Sequence, residues 1–193
     1  MNRKPILVLA ALAVVAAPAL AEPRDYVFDM AHSRIFFEVD HRGFSTMVGR
    51  FADFGGTFRF DPDDPAASFL DVTIDPASVD MFHAGLNEHL KNADFFDVAN
   101  YPELRFVSER VEVVGENRYA VHGRFTMLGQ THPLTLDVVL NKTGTTRSGA
   151  PMAGFSARGT LDRTQYGMTF AAPVVGTNVA FRIEIEASAT DES

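Results

Sequence analysis

The chain reads Arg-Ile-Phe-Phe-Glu-Val-Asp-His over residues 34–41, and this stretch alternates between apolar and charged side chains. One face carries Ile35, Phe37, Val39 and His41. A period of two residues is typical of a β-strand that has one buried face and one face in water. Strands of parallel sheets, in contrast, read as continuous apolar runs. The stretch therefore predicts a strand of an antiparallel sheet.

The same alternation recurs along the chain and predicts eight strands. They lie near residues 26–41, 46–60, 67–75, 103–114, 118–128, 131–142, 152–162 and 177–187. In the second strand, Phe51 and Phe54 share a face only if one extra residue is inserted, so we expect a β-bulge near Ala52 and Asp53. Gly and Asn residues in the short connections predict hairpins between consecutive strands.

Residues 76–102 depart from the alternation. Leu86, Leu90 and Ala93 stand at helical spacing, which predicts a short helix with Asn87 as its N-cap and its last turn over residues 93–97. Eight antiparallel strands close into a barrel whose interior suits packed side chains or one small ligand. We therefore expect an all-β fold, an eight-stranded antiparallel barrel with a short helical insertion between strands 3 and 4.

The beginning of the chain has the pattern of an export signal. Arg3 and Lys4 precede an apolar run at residues 6–17, and Ala19-Leu20-Ala21 provides the small residues that a signal peptidase reads. About 12 apolar residues are too few to span a bilayer, which needs roughly 20. We expect three parts: a cleaved signal peptide at residues 1–21, a barrel at 22–187 and a flexible tail at 188–193.

Composition excludes several classes of function. The 193 residues include no Cys, which excludes disulfides, Cys-based zinc sites, thiol nucleophiles and Cys-linked lipid anchors. The formal net charge is -8. Such a charge disfavours binding to nucleic acid phosphates or to anionic lipid surfaces. We expect neither a nucleic acid partner nor stable insertion into a membrane.

Catalytic and metal-binding motifs are absent from the sequence. The six His residues show no recognised metal spacing, and there is no Gly-x-Ser-x-Gly elbow and no Gly-rich phosphate loop between a strand and a helix. We therefore predict no catalytic residue and no metal site. The surplus of Phe is the stronger signal: 17 Phe accompany four Tyr and no Trp. These rings either fill the barrel or line an apolar tube, and their pattern leaves both interpretations open.

Several motifs occur together in a fixed order and carry a resemblance to a known family. They are Asp29-Met30-Ala31-His32-Ser33, Val48-Gly49-Arg50-Phe51, His89-Leu90-Lys91-Asn92-Ala93-Asp94-Phe95-Phe96-Asp97, Tyr101-Pro102-Glu103-Leu104-Arg105-Phe106, Gly123-Arg124-Phe125-Thr126-Met127-Leu128-Gly129 and Arg163-Thr164-Gln165-Tyr166-Gly167-Met168. With them, the chain resembles the YceI family, a set of exported bacterial lipocalin-like proteins associated with polyisoprenoid binding.

The resemblance implies an elongated barrel that holds a long isoprenoid chain in its lumen, as a carrier or a store, in the periplasm. It implies no cofactor other than a bound isoprenoid or quinone-like lipid. For the wall of the tube we predict Phe37, Val39, Phe51, Phe58, Val72, Phe106, Phe125, Met127, Leu136 and Phe181. Near a mouth, His41, His89, Asp94 and Arg163 are candidates for contact with a head group. For Asp94 and Arg163, a structural ion pair or helix cap is the alternative.

Two other functions remain open from the sequence. The first is an enzyme that acts on a lipid, which a His buried beside a carboxylate at the mouth would indicate. The second is a solid barrel without a cavity that acts through its surface in an envelope complex or stress response, which an outward apolar patch would indicate. Nothing in the sequence specifies an oligomeric state.

Overall fold

A computed structural model describes residues 23–190. The predicted signal peptide lies outside these residues. The described chain forms β1 (Arg24–Phe28), β2 (Arg34–His41), β3 (Ser45–Phe51), β4 (Phe54–Phe60), β5 (Phe69–Ile74), β6 (Val79–Asp80), α1 (Ala84–Lys91), β7 (Leu104–Gly115), β8 (Arg118–Met127), β9 (Gln130–Thr145), β10 (Pro151–Asp162) and β11 (Val175–Ala189). Over this part of the chain, no helix is both long enough and apolar enough to cross a membrane.

The strands close into a barrel. β1 and β2 are the two halves of one long strand, and β3 and β4 are the halves of the next, because β2 pairs with β3 and β1 pairs with β4. Antiparallel pairing continues from β4 through β5, β7, β8, β9 and β10 to β11. β11 then pairs with both β2 and β1. The described residues therefore form a closed, eight-stranded antiparallel barrel, and the predicted fold class is confirmed.

Both long strands are interrupted. The predicted irregularity at Ala52 and Asp53 is present between β3 and β4: the Ala52 N–H donates to the Ser78 carbonyl at 3.2 Å. The break between β1 and β2 was not predicted. Phe28 and Ile35 both face the interior although they are seven positions apart, so the strand needs an extra residue to bring them to one face.

The predicted helix is confirmed, but two of its details are wrong. The N-cap is His83, whose Nδ1 accepts a hydrogen bond from the Leu86 N–H at 3.3 Å. Asn87 lies inside α1 instead. Its side-chain oxygen accepts a hydrogen bond from the Met81 N–H at 2.7 Å, which fastens the helix to the end of β6. Residues 93–96 form turns rather than the last turn of the helix.

Because successive strands run in opposite directions, the connections divide between two ends of the barrel. The helix end carries the β2–β3 hairpin, α1, the β8–β9 hairpin and the long loop at residues 163–174. The aromatic end carries the other hairpins and is filled by packed rings: Phe155 lies 5.3 Å from Phe58 and 5.1 Å from Phe60, between ring centroids. β11 runs on through Ala189, which is buried in this cluster, so the predicted tail at 188–193 starts too early.

Candidate ligand-binding cavity

The barrel encloses a cavity of about 540 Å³. This volume lies in the range of sites that bind small molecules. Among residues 23–190, the polar side chains on its wall are few, and they are His41, Ser68, His89, Tyr119 and Arg163. His41, His89 and Arg163 belong to the helix end, whereas Ser68 and Tyr119 belong to the aromatic end. The middle of the tube is therefore lined by hydrocarbon.

Several inward side chains at the middle of their strands keep part of their surface exposed. Phe37 and Val39 on β2 and Phe181 on β11 line the cavity, yet each is only half-buried. Their exposed surface faces the lumen, because the outward positions of these strands carry other residues, such as Phe36 and Arg182. The Phe residues thus form a core at the aromatic end and a wall elsewhere, and the alternative of a solid barrel without a cavity is wrong.

The cavity opens at the helix end. There, Leu86 and Phe170 line the cavity while 37% and 44% of their surface is exposed. At the aromatic end, in contrast, Phe58 and Phe60 line the cavity and expose only 5% and 3%. We call the opening at the helix end the mouth.

Arg163 shapes the mouth from inside the protein. It exposes only 3% of its surface and begins a 3₁₀ turn after β10. Its guanidinium donates to four backbone carbonyls, those of Gly176 (2.9 Å), Met168 (2.6 Å), Phe170 (3.0 Å) and Val175 (3.0 Å). Burial lowers the pKa of the guanidinium. Arg163 thus fastens the long loop at the mouth through carbonyls rather than through the ion pair or helix cap considered from sequence.

His89 and Asp94 form a pair at the rim of the mouth. His89 Nε2 lies 3.3 Å from Asp94 Oδ2, and the His89 ring packs edge-on against Phe95 and Phe170, at centroid distances of 5.0 and 5.6 Å. His89 lines the cavity, whereas Asp94 contacts His89 from outside the wall. Both side chains are substantially exposed. The pair is therefore unlike the buried His and carboxylate that an enzyme would be expected to hold at this place.

The structure places nearly all predicted site residues on one cavity wall. Those that line it are Phe37, Val39, His41, Phe51, Phe58, Val72, His89, Phe106, Phe125, Met127, Leu136, Arg163 and Phe181. Sequence reasoning missed the contribution of the mouth, where Leu86, Leu90, Phe95 and Phe170 also line the cavity. The helical spacing of Leu86 and Leu90 was a usable signal, but Phe170 lies in a loop without any periodicity.

A second cluster lies on the outer surface, at the break between β1 and β2. Ligand atoms of Asp29, His32 and Glu186 lie within 4.8 Å of one another. His32 Nδ1 is 2.7 Å from Asp29 Oδ2, and this hydrogen bond raises the pKa of His32 and lowers that of Asp29. The sequence did not indicate the cluster, because Glu186 comes from the far end of the chain and meets the turn only when the barrel closes.

The fold and the cavity define a class, that of small closed β-barrels with an apolar lumen open at one end. The profile of the YceI-like domain matches residues 26–187, and the chain belongs to the YceI family. A UPF0312 protein of Pectobacterium atrosepticum is 35% identical over 188 residues, which cover 96% of this chain and 97% of the relative. A UPF0312 protein of Serratia proteamaculans is 37% identical, with the same coverage.

Solved structures show the same architecture. BcnA of Burkholderia cenocepacia superposes with a TM-score of 0.72 at 25% identity, covering 84% of this chain and 99% of BcnA. A YceI protein of Campylobacter jejuni gives 0.70 at 27% identity, covering 79% and 90% of the two chains. A polyisoprenoid binding domain from Saccharophagus degradans, implicated in plant cell wall breakdown, gives 0.62 at 15% identity, covering 86% and 98%. At that identity, the last similarity establishes the fold alone.

Proposed function

We propose that the protein binds one long apolar chain of polyisoprenoid type in its lumen, as a carrier or a store. The observation that carries the proposal is the cavity itself: a tube with hydrocarbon walls, closed by rings at one end and open at the other. A ligand that matches it is apolar over most of its length and polar at one tip. A prenyl lipid has this form, and a solved protein of the same fold is described as a polyisoprenoid binding domain.

The energetics of such binding need little chemistry. Each methylene group removed from water contributes about 0.8 kcal/mol. Ordering the chain opposes this gain, so drug-sized ligands keep only about 0.3 kcal/mol per heavy atom. A prenyl chain of many carbon atoms still binds tightly on these terms. A binding protein rather than an enzyme is therefore sufficient to account for the cavity.

The polar end of the ligand belongs at the mouth. His41 and His89 place imidazole groups on the cavity wall there, and both side chains reach solvent. Arg163 adds a buried positive charge behind them. A head group that accepts hydrogen bonds is thus favoured at this end, while the tail lies between the Phe rings towards the aromatic end.

We further propose that the protein is exported to the periplasm. The support is the pattern of the first 21 residues, with Arg3 and Lys4 before the apolar run. Mass spectrometry of protein from a periplasmic fraction tests this proposal. A mature chain that begins at Glu22 supports export, and a full-length chain confined to the cytoplasm contradicts it.

Native mass spectrometry of protein purified from the periplasm of the native bacterium tests whether a prenyl lipid is bound. We expect a co-purified prenyl lipid, which organic extraction removes and added prenol restores. Phe37→Asp should abolish retention, because it places a charge in the apolar lumen. Its matched control is Phe36→Asp on the same strand, since Phe36 faces outward, with its ring centroid 5.3 Å from the Arg182 Cζ. Circular dichroism must show both variants folded, and a delipidated wild type that takes up no added prenol contradicts the proposal.

A further inference from the structure

Four inward positions form a row across four neighbouring strands near the mouth. Gly159 on β10 is opposite Phe181 on β11, Phe181 is opposite Phe37 on β2, and Phe37 is opposite Gly49 on β3. We call these residues the Gly–Phe row. The order Gly, Phe, Phe, Gly places both rings between two positions that have no side chain.

Each ring of the row lies in the space of its neighbouring glycine. A Cβ atom added at Gly49 would overlap the ring of Phe37 and the sulfur of Met81, and one added at Gly159 would overlap the ring of Phe181. Glycine inside a strand commonly marks such a close approach. The pairing is costly for the sheet, because glycine contributes no side chain to pack and loses much conformational freedom on folding.

The two rings therefore turn away from each other. Phe37 leans from β2 towards β3, where its ring also packs against Phe51 at a centroid distance of 5.3 Å. Phe181 leans from β11 towards β10 and Gly159. Phe37 and Phe181 are directly paired across the two strands, yet their rings lean towards glycines on opposite sides of the pair. The space between the two rings therefore lies along the seam of β2 and β11.

The row stands between the mouth and the depth of the tube. On the mouth side, the next inward pairs across the seam are Val39 with Val179 and His41 with Val175. On the deep side, the next pair is Ile35 with Ile183. A chain that enters at the mouth must therefore pass the row before it reaches the aromatic end.

A related close approach occurs on the opposite wall. A Cβ atom added at Gly123 on β8 would overlap the Val107 carbonyl oxygen and would lie 2.6 Å from the Phe106 ring on β7. Gly123 is opposite Ser108, so it approaches the Phe106 ring diagonally. Glycine thus lies beside an inward Phe on both sides of the lumen, although at Gly123 the neighbouring backbone also leaves no room for a side chain.

We infer that Gly49 and Gly159 determine the specificity of the cavity for long chains, because they set the width of the passage at the Gly–Phe row. This inference rests on the proposed lipid binding and explains how the cavity would select chains by their length. The passage admits a linear prenyl chain that runs on to the aromatic end. With any other residue at these two positions, a Phe ring moves into the passage and confines the ligand to the mouth.

Alanine substitution tests the row. Gly49→Ala and Gly159→Ala should weaken binding of a long all-trans prenol by about tenfold to a hundredfold, the range expected from overpacking a site. Binding of a short prenol, which stays on the mouth side, should not change. Gly55→Ala is the matched control, since a Cβ at this strand glycine meets nothing within 4 Å. Adding Phe181→Leu to Gly159→Ala should restore long-prenol binding, because the three atoms nearest to a Cβ at Gly159 all belong to the Phe181 ring.

Two measurements keep the outcomes apart. Fluorescence competition with prenols of graded length measures selectivity, and equal affinity of wild type and both alanine variants for the long prenol overturns the inference. Crystal structures of the variants measure the ring positions without any ligand, and rings that stay against the wall overturn it as well. If the wild type binds no prenol of any length, the proposed function fails, while the ring positions still decide whether the glycines set the width.

Discussion

At the scale of single residues, the most constrained side chain is Arg163. A buried guanidinium is costly unless its N–H groups are satisfied, and here two carbonyls of the long loop and two at the start of β11 accept from it. The partners lie at residues 168–176, so one side chain determines the course of the loop that borders the mouth. Arg163 therefore connects the packing of the barrel to the shape of its entrance.

Replacement of Arg163 should loosen the mouth. Arg163→Met keeps the apolar stem but leaves the carbonyls without donors, and each unsatisfied buried acceptor costs about 1–3 kcal/mol. Because water reaches part of the loop, we expect a total loss of about 3 kcal/mol in the free energy of unfolding. Urea denaturation measures it. Arg158→Met on the outer face of β10 is the control and should change little; an equal loss in both variants would contradict the role of Arg163.

Residue roles differ in how far the sequence reveals them. Phe37 and Phe181 are predictable as inward residues, because alternation alone assigns them to a face. Their lean towards Gly49 and Gly159 is not predictable in this way, since it depends on which strands are neighbours. The role of Arg163 is not predictable for another reason. Its partners are backbone carbonyls, which every residue has, so no residue type in the sequence indicates them.

At the scale of elements, the two long strands are bent by local breaks. The break before Phe54 is predictable from the sequence, because Phe51 and Phe54 do not fit the two-residue period of one strand face. The break between β1 and β2 was equally legible from Phe28 and Ile35, but the resulting turn was not anticipated. At this turn, Ser33 is buried and its hydroxyl donates to the Glu186 carbonyl at 3.1 Å, so the break is held against β11.

The turn between β1 and β2 should respond to pH. The hydrogen bond with Asp29 raises the pKa of His32 above 6.5, so its stabilising effect is complete below pH 6.5 and is lost as pH rises through the folded-state pKa. The same pair lowers the pKa of Asp29 below 3.8, so that contribution is lost as pH falls through the lowered value. The turn is thus most stable between pH 3.8 and 6.5.

Hydrogen exchange across residues 29–33 measures this effect. Wild-type protection should fall as pH rises above 6.5, after correction for the intrinsic exchange rate, whereas His32→Ala should be flat over the same range. His41→Ala at the mouth is the matched histidine control and should keep the wild-type profile. A wild-type profile without pH dependence would show that the pair contributes nothing to the turn.

At the scale of the whole molecule, the cavity and the stability of the barrel oppose each other. Phe37 and Phe181 expose apolar surface to the lumen, and the chain has no Cys with which to offset that loss by disulfides. Burial at the aromatic end and closed strand pairing must hold the barrel together. An apolar ligand in the lumen would complete the core.

Filling the lumen should therefore stabilise the protein. A ligand present at about a hundredfold its dissociation constant adds about 2.7 kcal/mol to the free energy of unfolding. We expect delipidated wild type to gain this amount with added long prenol, measured by urea denaturation. Phe37→Asp should gain nothing, and a wild-type gain that the same variant shares would place the binding outside the lumen.

The closure of the barrel by β11 has a consequence for its biosynthesis. β11 pairs with β10, β2 and β1, so no tube exists until this final long strand has left the ribosome and found its partners. A chain interrupted before Val175 would be an open sheet with two free edges, and such edges invite aggregation. An unfinished chain thus exposes the very apolar surface that the finished molecule keeps inside, and this surface marks it for chaperones and proteases.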